Sequence, residues 1–370
     1  MNWCFRASAR KKLSGVAFGL NILISSMALS AQPVVAQALT ALSSGLMNSR
    51  AIVFSPATGK VYAVDINHGA VEIYTDGGMP AHRVKVGAEP VSIAVNTSTG
   101  TAYVANAGDG TVSILDGASD TVVATVPIGS HPYSIAADSV TGKVFVTHTF
   151  GDQTSMLDGT TNKVTDLKTG SADLIAINSR TGTVYLLGYG GAVKVLDEAT
   201  QKFNERAVGR HGWGLTLDDS SGTVYVTKIE DAELAALKGA SIEPFILHAG
   251  AIPCAIAVNA KARLLYVANN GDNSVSVVDA TTGDSKATIA VGDHPKAVAF
   301  DGVRNLVFVA NTLGNSVTVI DAEKNNVIAT LPAGKSPYAL AVVPGSRRLY
   351  VANESDEAAS TVVDLSGIHR

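Results

Sequence analysis

Three of the eight histidines in this 370-residue chain recur in segments of one kind, Ser130-His131-Pro132, Arg210-His211-Gly212 and Asp293-His294-Pro295. Imidazole is a common metal ligand at neutral pH, so the set reads first as a metal site. Segments of the same form, Ala88-Glu89-Pro90, Ala172-Asp173, Ile252-Pro253 and Ser336-Pro337, add the carboxylates of Glu89 and Asp173. Tyr133, Trp213, Lys296 and Tyr338 follow at equivalent spacing, so aromatic faces and an amine accompany the imidazoles. A second set, His148 with Asn106, Asn269, Asn311 and Asn353, closes a series of apolar strings. Against the sharp reading stands a plain one, since His-Pro is also a turn dipeptide that leaves its imidazole on the surface.

The elements that must position these residues form an internal repeat. Val61-Tyr62-Ala63-Val64, Ala102-Tyr103-Val104-Ala105-Asn106 and Val144-Phe145-Val146-Thr147-His148 open a series whose aromatic residue returns at 185, 225, 266, 308 and 350, every 40 to 42 residues. That length holds four short strands and their turns, which describes a propeller blade. The aromatic strings are apolar on both faces, as strands covered by neighbouring sheets must be. The Tyr or Phe is therefore expected to fill the gap between blades. Asp116, Asp158, Asp197, Asp279, Asp321 and Asp364 end the third strands and read as turn caps rather than as an acidic metal array. The fifth unit is the least regular: residues 229–239 are polar and helix-prone, which predicts an inserted loop or short helix there.

The expected fold is all-β, a single eight-bladed propeller of four-stranded antiparallel blades, with a seven-bladed ring as the alternative. Only seven fourth strands follow the eight units. The missing strand is expected between Gln37 and Met47, where it would close the last blade. The candidate residues then gather at the mouth of the central channel. A single ion needs bonds of about 2.0–2.1 Å to converging ligands, whereas alternate blades hold His131, His211 and His294 apart. An organic ligand, a haem-like group or a protein loop spanning the mouth suits them better, with His148 beside His131 as a smaller site; no metal set is assigned.

Tyr-Val-Ala-Asn and Phe-Val-Ala-Asn, together with Val-Ser-Val-Val-Asp and Val-Thr-Val-Ile-Asp, resemble the YVTN-type, or YncE-like, β-propeller family from about Arg50 to Leu365. The resemblance implies the fold. Its relatives include periplasmic and surface proteins and, more distantly, lactonases and the haem-binding propeller of a nitrite reductase. Many of those relatives have seven blades, so eight repeats depart from the usual pattern.

Residues 1–36 read as a Sec-type signal peptide, with Arg6, Arg10, Lys11 and Lys12 before an apolar stretch from Leu13 to Ala31. Cleavage is placed after Ala36, or near Ala31, leaving residues 37–370 as one propeller domain; an uncleaved membrane anchor is the rival reading. Beyond Ala36 the chain has 24 basic against 32 acidic side chains, a balance that disfavours nucleic acid as a partner. Cys254 is then the lone cysteine, so no intrachain disulfide holds the fold.

No Cys-x-x-Cys-His, Gly-x-Ser-x-Gly or Gly-x-x-x-x-Gly-Lys motif is present. The sequence thus favours a monomeric binding or scaffolding module in the periplasm, at the cell surface or secreted, engaging an unnamed ligand or envelope protein without a membrane anchor. The alternative is an enzyme: a metal-dependent lactonase or other hydrolase, or a haem-handling propeller. Elemental analysis and a visible spectrum separate the two classes.

Overall fold

A computed structural model describes residues 39–41, 52–75, 80–148, 151–188, 190–209, 211–238, 245–354 and 360–369. All of them belong to the unit Gln37–Arg370. They form eight four-stranded antiparallel sheets. Seven of these are continuous in sequence; blade two, for example, runs Pro90–Val95, Ala102–Asn106, Thr111–Asp116 and Thr121–Pro127. The eighth takes Pro337–Val342, Arg348–Asn353 and Thr361–Asp364 from the C-terminal end and its outer strand, Leu39–Ala41, from the N-terminal end. Leu39, Thr40 and Ala41 pair with Val363, Val362 and Thr361, which closes the ring as the missing fourth strand required.

The first strand of each blade packs against the first strands of both neighbours, so eight inner strands encircle the axis. Between the blades lie eight apolar clusters, each containing one aromatic residue of the repeat. Tyr62 of blade one packs with Ile93, Val95 and Val104 of blade two. Tyr350 of blade eight packs with Val61 and Ala63 of blade one. The ring hydroxyls reach the turn between the third and fourth strands of the next blade, where Tyr266 donates to the carbonyl of Ala322 at 3.1 Å. A small residue is required where a tyrosine hydroxyl arrives at that turn. A Cβ on Gly159 would stand 2.5 Å from the Tyr103 hydroxyl oxygen and 2.6 Å from the Gly142 carbonyl oxygen.

The turn aspartates do what their spacing predicted. Oδ1 of Asp116 accepts from the amides of Ala118 and Ser119 at 2.8 and 2.9 Å, and Asp158 and Asp279 repeat the pattern. These backbone hydrogen bonds hold the three carboxyls below the usual carboxylate range, because the ionised form accepts them best.

The fifth unit departs from expectation. Its supposed loop or helix is an ordinary third strand, Glu233–Lys238, paired to both neighbours. Leu234, Ala235, Ala236 and Leu237 are all buried, so burial on both faces overrides the helix preference of the segment. A hairpin with Ala232 at φ 54° makes the turn that Gly or Asn makes elsewhere. Among the described residues no helix is long and apolar enough to cross a membrane.

Candidate binding face at the channel mouth

At one end of the ring, the second-to-third-strand hairpins of blades two, six, seven and eight meet the connections that enter the same blades. Amides of Ala107, Asn270, Thr312 and Glu354 donate to the carbonyls of Glu89, Ile252, His294 and Ser336 at 2.9 to 3.0 Å. The accepting residues, with His131 and His211, all hold φ between 47 and 54°. This left-handed backbone costs L-residues on the order of 1–2 kcal/mol each. Hairpin side chains help hold it: the His294 and Ser336 amides donate to Asn273 and Asn315 at 2.9 and 2.8 Å.

Immediately after this residue the first strand carries a bulge. In blade seven Pro295 pairs with Asn311 and Ala297 with Ala310, leaving Lys296 as the extra residue. Val91, Cys254 and Tyr338 are the extra residues of blades two, six and eight. In blades three and five Tyr133-Ser134 and Trp213-Gly214 stand opposite the single residues Thr147 and Thr227. A bulge redirects the side chain it carries. Val91 and Cys254 turn into the protein, whereas Tyr133 is 42% exposed and Trp213, Lys296 and Tyr338 are half-buried. Blade four lacks the device: Leu174 pairs with Leu187 in unbroken register, and Asp173 donates its amide to the Leu187 carbonyl at 2.8 Å.

Several charges at the mouth are matched within the chain. His211 Nδ1 lies 2.6 Å from Glu230, and His294 Nδ1 lies 2.7 Å from Asp293. Lys296 Nζ lies 2.5 Å from Glu354 and 5.5 Å from the centre of the Tyr338 ring. Side chains of Glu89, His131, Tyr133 and Trp213 make no hydrogen bond or ion pair among the described residues. Nor, among those residues, do three or more His, Cys, Asp or Glu side chains gather as they would around a metal ion.

The second predicted set shares this end of the ring but lies beneath the face. Asn106, Asn269, Asn311 and Asn353 are fully buried, and their amides donate to Ser or Thr hydroxyls of the adjacent strand. In blade six the Asn269 oxygen also accepts from the Gly250 amide at 3.1 Å. His148 occupies the same position in blade three, with Nδ1 2.9 Å from the Ser130 carbonyl and Nε2 2.8 Å from Ser155, which in turn donates to Asp166. These residues brace the blade edge, and the mouth is formed by the layer above them.

Sequence reasoning missed the charged members of this buried layer. Asp65 stands in blade one where Asn106 stands in blade two, and it is held by Arg83 and His68. Lys194 of blade four is nearly buried and donates to the Ser171 carbonyl at 2.7 Å. Burial holds its ammonium below the usual range, while Glu205 and Asp173 act in the opposite direction.

The family model described as a YNCE-like beta-propeller matches residues 64–369. Among solved structures, the chain is similar to the Saccharomyces cerevisiae protein Sqt1, with a TM-score of 0.72 and 13% identity over 89% of this chain and 99% of that one. It is also similar to a chain of hydrazine synthase from Kuenenia stuttgartiensis, with a TM-score of 0.60 and 16% identity over 76% of this chain and 97% of that one. At these identities the likeness is one of fold. No curated protein matches the sequence.

Proposed function

This chain belongs to the YncE-like β-propeller family, and we propose that it is an exported binding or scaffolding module that engages its ligand or partner on the mouth face. The carrying observation is the repeated first-strand bulge, which directs Tyr133, Trp213, Lys296 and Tyr338 away from the blade interior at one end of the ring. Seam packing accounts for the repeated aromatics and turn geometry for the aspartates. Neither accounts for an exposed tyrosine and a half-buried tryptophan next to polar side chains. Aromatic side chains with polar neighbours supply large contact area at low entropy cost, which suits recognition. Export rests on the basic and apolar character of residues 1–36.

Two measurements test this reading. N-terminal sequencing of the protein from its native host is expected to give a chain starting at Gln37, outside the cytoplasm. Replacing Tyr133, Trp213 and Tyr338 together by Ser is expected to remove co-purifying envelope components while leaving the thermal melt in place. Retention of every partner by a folded triple variant would refute the mouth as the binding face.

A further inference from the structure

The seams between blades seven and eight and between blades two and three carry different occupants at the two bulge positions. At the first seam Lys296, the bulge residue of blade seven, extends over the ring of Tyr338, the bulge residue of blade eight, and pairs with Glu354. An aromatic face, a carboxylate and a cation between them form a complete cation–π seat, filled by the chain itself.

At the second seam the aromatic residue is Tyr133, which follows Pro132 as Tyr338 follows Pro337. The position of Lys296 is taken by Val91, which is short and only 8% exposed. Among the described residues no lysine takes that place, and Tyr133 is 42% exposed. The position of Glu354 corresponds to residue 149, outside the described residues, and the carboxylate at this seam is that of Glu89, the left-handed residue one before Pro90, while His131 is the left-handed residue two before Tyr133. Glu89, His131 and Tyr133 have no side-chain polar partner among the described residues. The first strands that carry them, Pro90–Val95 and Pro132–Ala137, pack side by side.

We propose that the blade two–three seam is an open cation seat that accepts an arginine or lysine side chain from a basic segment of a protein partner, over Tyr133 and against Glu89. The proposal rests on the reading of the mouth as the binding face. The surface charge fits: beyond Ala36 the chain has 24 basic against 32 acidic side chains, so a basic segment is drawn toward it. The seat is also selective. Aqueous charge attraction alone requires no ring, whereas a cation held over Tyr133 loses part of its binding when the ring is removed.

The probe is a blocked peptide of alternating glycine and arginine, with the same peptide carrying citrulline as the uncharged control, titrated against purified protein by calorimetry. The expected result is saturable one-to-one binding of the arginine peptide, absent for citrulline. Tyr133→Leu, which keeps apolar volume without the aromatic face, and Glu89→Gln, at an exposed position, are each expected to weaken binding about tenfold. Val91→Lys, which supplies in cis the amine that Lys296 supplies at blade eight, is expected to block it. Lys296→Ala is expected to open the second seat and raise the stoichiometry to two. Arginine-peptide binding that Tyr133→Leu and Glu89→Gln leave unchanged overturns the seat, as does equal binding of citrulline. If the peptide fails to bind while the Ser triple variant still loses its envelope partner, the cation seat is wrong and the mouth face stands. If the triple variant also keeps every partner, both fail.

Discussion

Asp65 and Glu72 are buried together in the outer half of blade one, and Arg83 on the next strand pairs with both. Burial pushes the Glu72 carboxyl above its usual range and Asp65 adds to the shift, with Arg83 opposing it. Breaking a buried pair by removing one partner leaves a charge without compensation and costs about 3–5 kcal/mol. Because Arg83 is 36% exposed, Arg83→Met is expected to lie below that range, at about 2 kcal/mol at pH 7 by urea unfolding. The deficit is expected to shrink on acidification. Without Arg83 the folded-state pKa of Glu72 rises further above its unfolded value, so the proton binds the folded chain more tightly and lost stability returns as pH falls through that pKa. Asp65 was missed although it ends its strand as Asn106 does, because the apolar string was read only to Val64. Its dependence on Arg83 was not legible either, because that contact follows from the register of three strands. The left-handed mouth residues were legible in part. His-Pro and Glu-Pro marked the turns, but nothing in the sequence showed that Ile252 holds φ 53°. A β-branched side chain is strained there, so Ile252→Asn is expected to raise stability by about 1 kcal/mol in the same assay.

At the scale of the blade, most of the fold was legible because one set of packing rules recurs eight times. The aromatic strings, the turn aspartates and the missing fourth strand all follow from a sheet covered on both faces and closed on itself. The exceptions arise where a repeat position changes chemistry. Residues 229–239 looked helical because composition was weighed without the burial that neighbouring blades impose. Glu198 is another exception, standing where other blades have Gly117, Gly159, Ala280 and Ala322. Its carboxyl enters the seam between blades three and four, where Glu198 Oε2 and Asp138 Oδ2 are both buried without a hydrogen-bond partner among the described residues. Thr141 and Lys143 reach Glu198 Oε1 at 2.5 and 3.2 Å. Of two buried neighbouring carboxyls, one holds a proton more readily than it would alone. Burial, with Asp138 beside it, pushes Glu198 up; amides of Val140 and Thr141, with Glu198 itself, outweigh burial and hold Asp138 down. The signs are opposite. The Glu198 contribution is full below its unfolded pKa and is lost as pH rises through its folded value. That of Asp138 is full above its unfolded pKa and is lost as pH falls through its folded value. Glu198→Gln keeps the shape of the side chain without titrating and offers a neutral amide to the seam. It is therefore expected to be more stable than the parent at pH 7, by about 1 kcal/mol, and to lose the pH dependence of unfolding on the alkaline side of the Glu198 transition. Parallel stability profiles for the two proteins from pH 4 to 8 would exclude an upward shift of Glu198 in the folded chain.

For the whole molecule the decisive feature is closure. Each blade is stabilised by its own sheet and two seams, so an open array would lose structure from its ends inward, as stacked repeats do. Blade eight removes those ends by borrowing Leu39–Ala41, three residues that cover the edge of Thr361–Asp364. The C-terminal segment is fixed as well: Arg304 of blade seven donates to the carbonyls of Ser346, Leu365 and Ile368 at 3.1 to 3.3 Å. The two devices are not equivalent. Arg304 holds a peripheral segment, so Arg304→Ala is expected to cost about 1–3 kcal/mol through carbonyls left without a charged donor, with the ring still closed. Deleting residues 37–47 instead removes a strand, leaving an unpaired edge on Thr361–Asp364 and one uncovered side at the seam with blade one. Although the segment resembles a linker in composition, its deletion is expected to lower the urea midpoint more than Arg304→Ala does. Hydrogen exchange should then accelerate first in Arg348–Asn353 and Thr361–Asp364, and later in blades one and seven, while blade four is affected last. Exchange that accelerates uniformly around the ring would mean that the propeller unfolds as one cooperative unit. Unchanged exchange in blade eight would mean that Leu39–Ala41 does not close it.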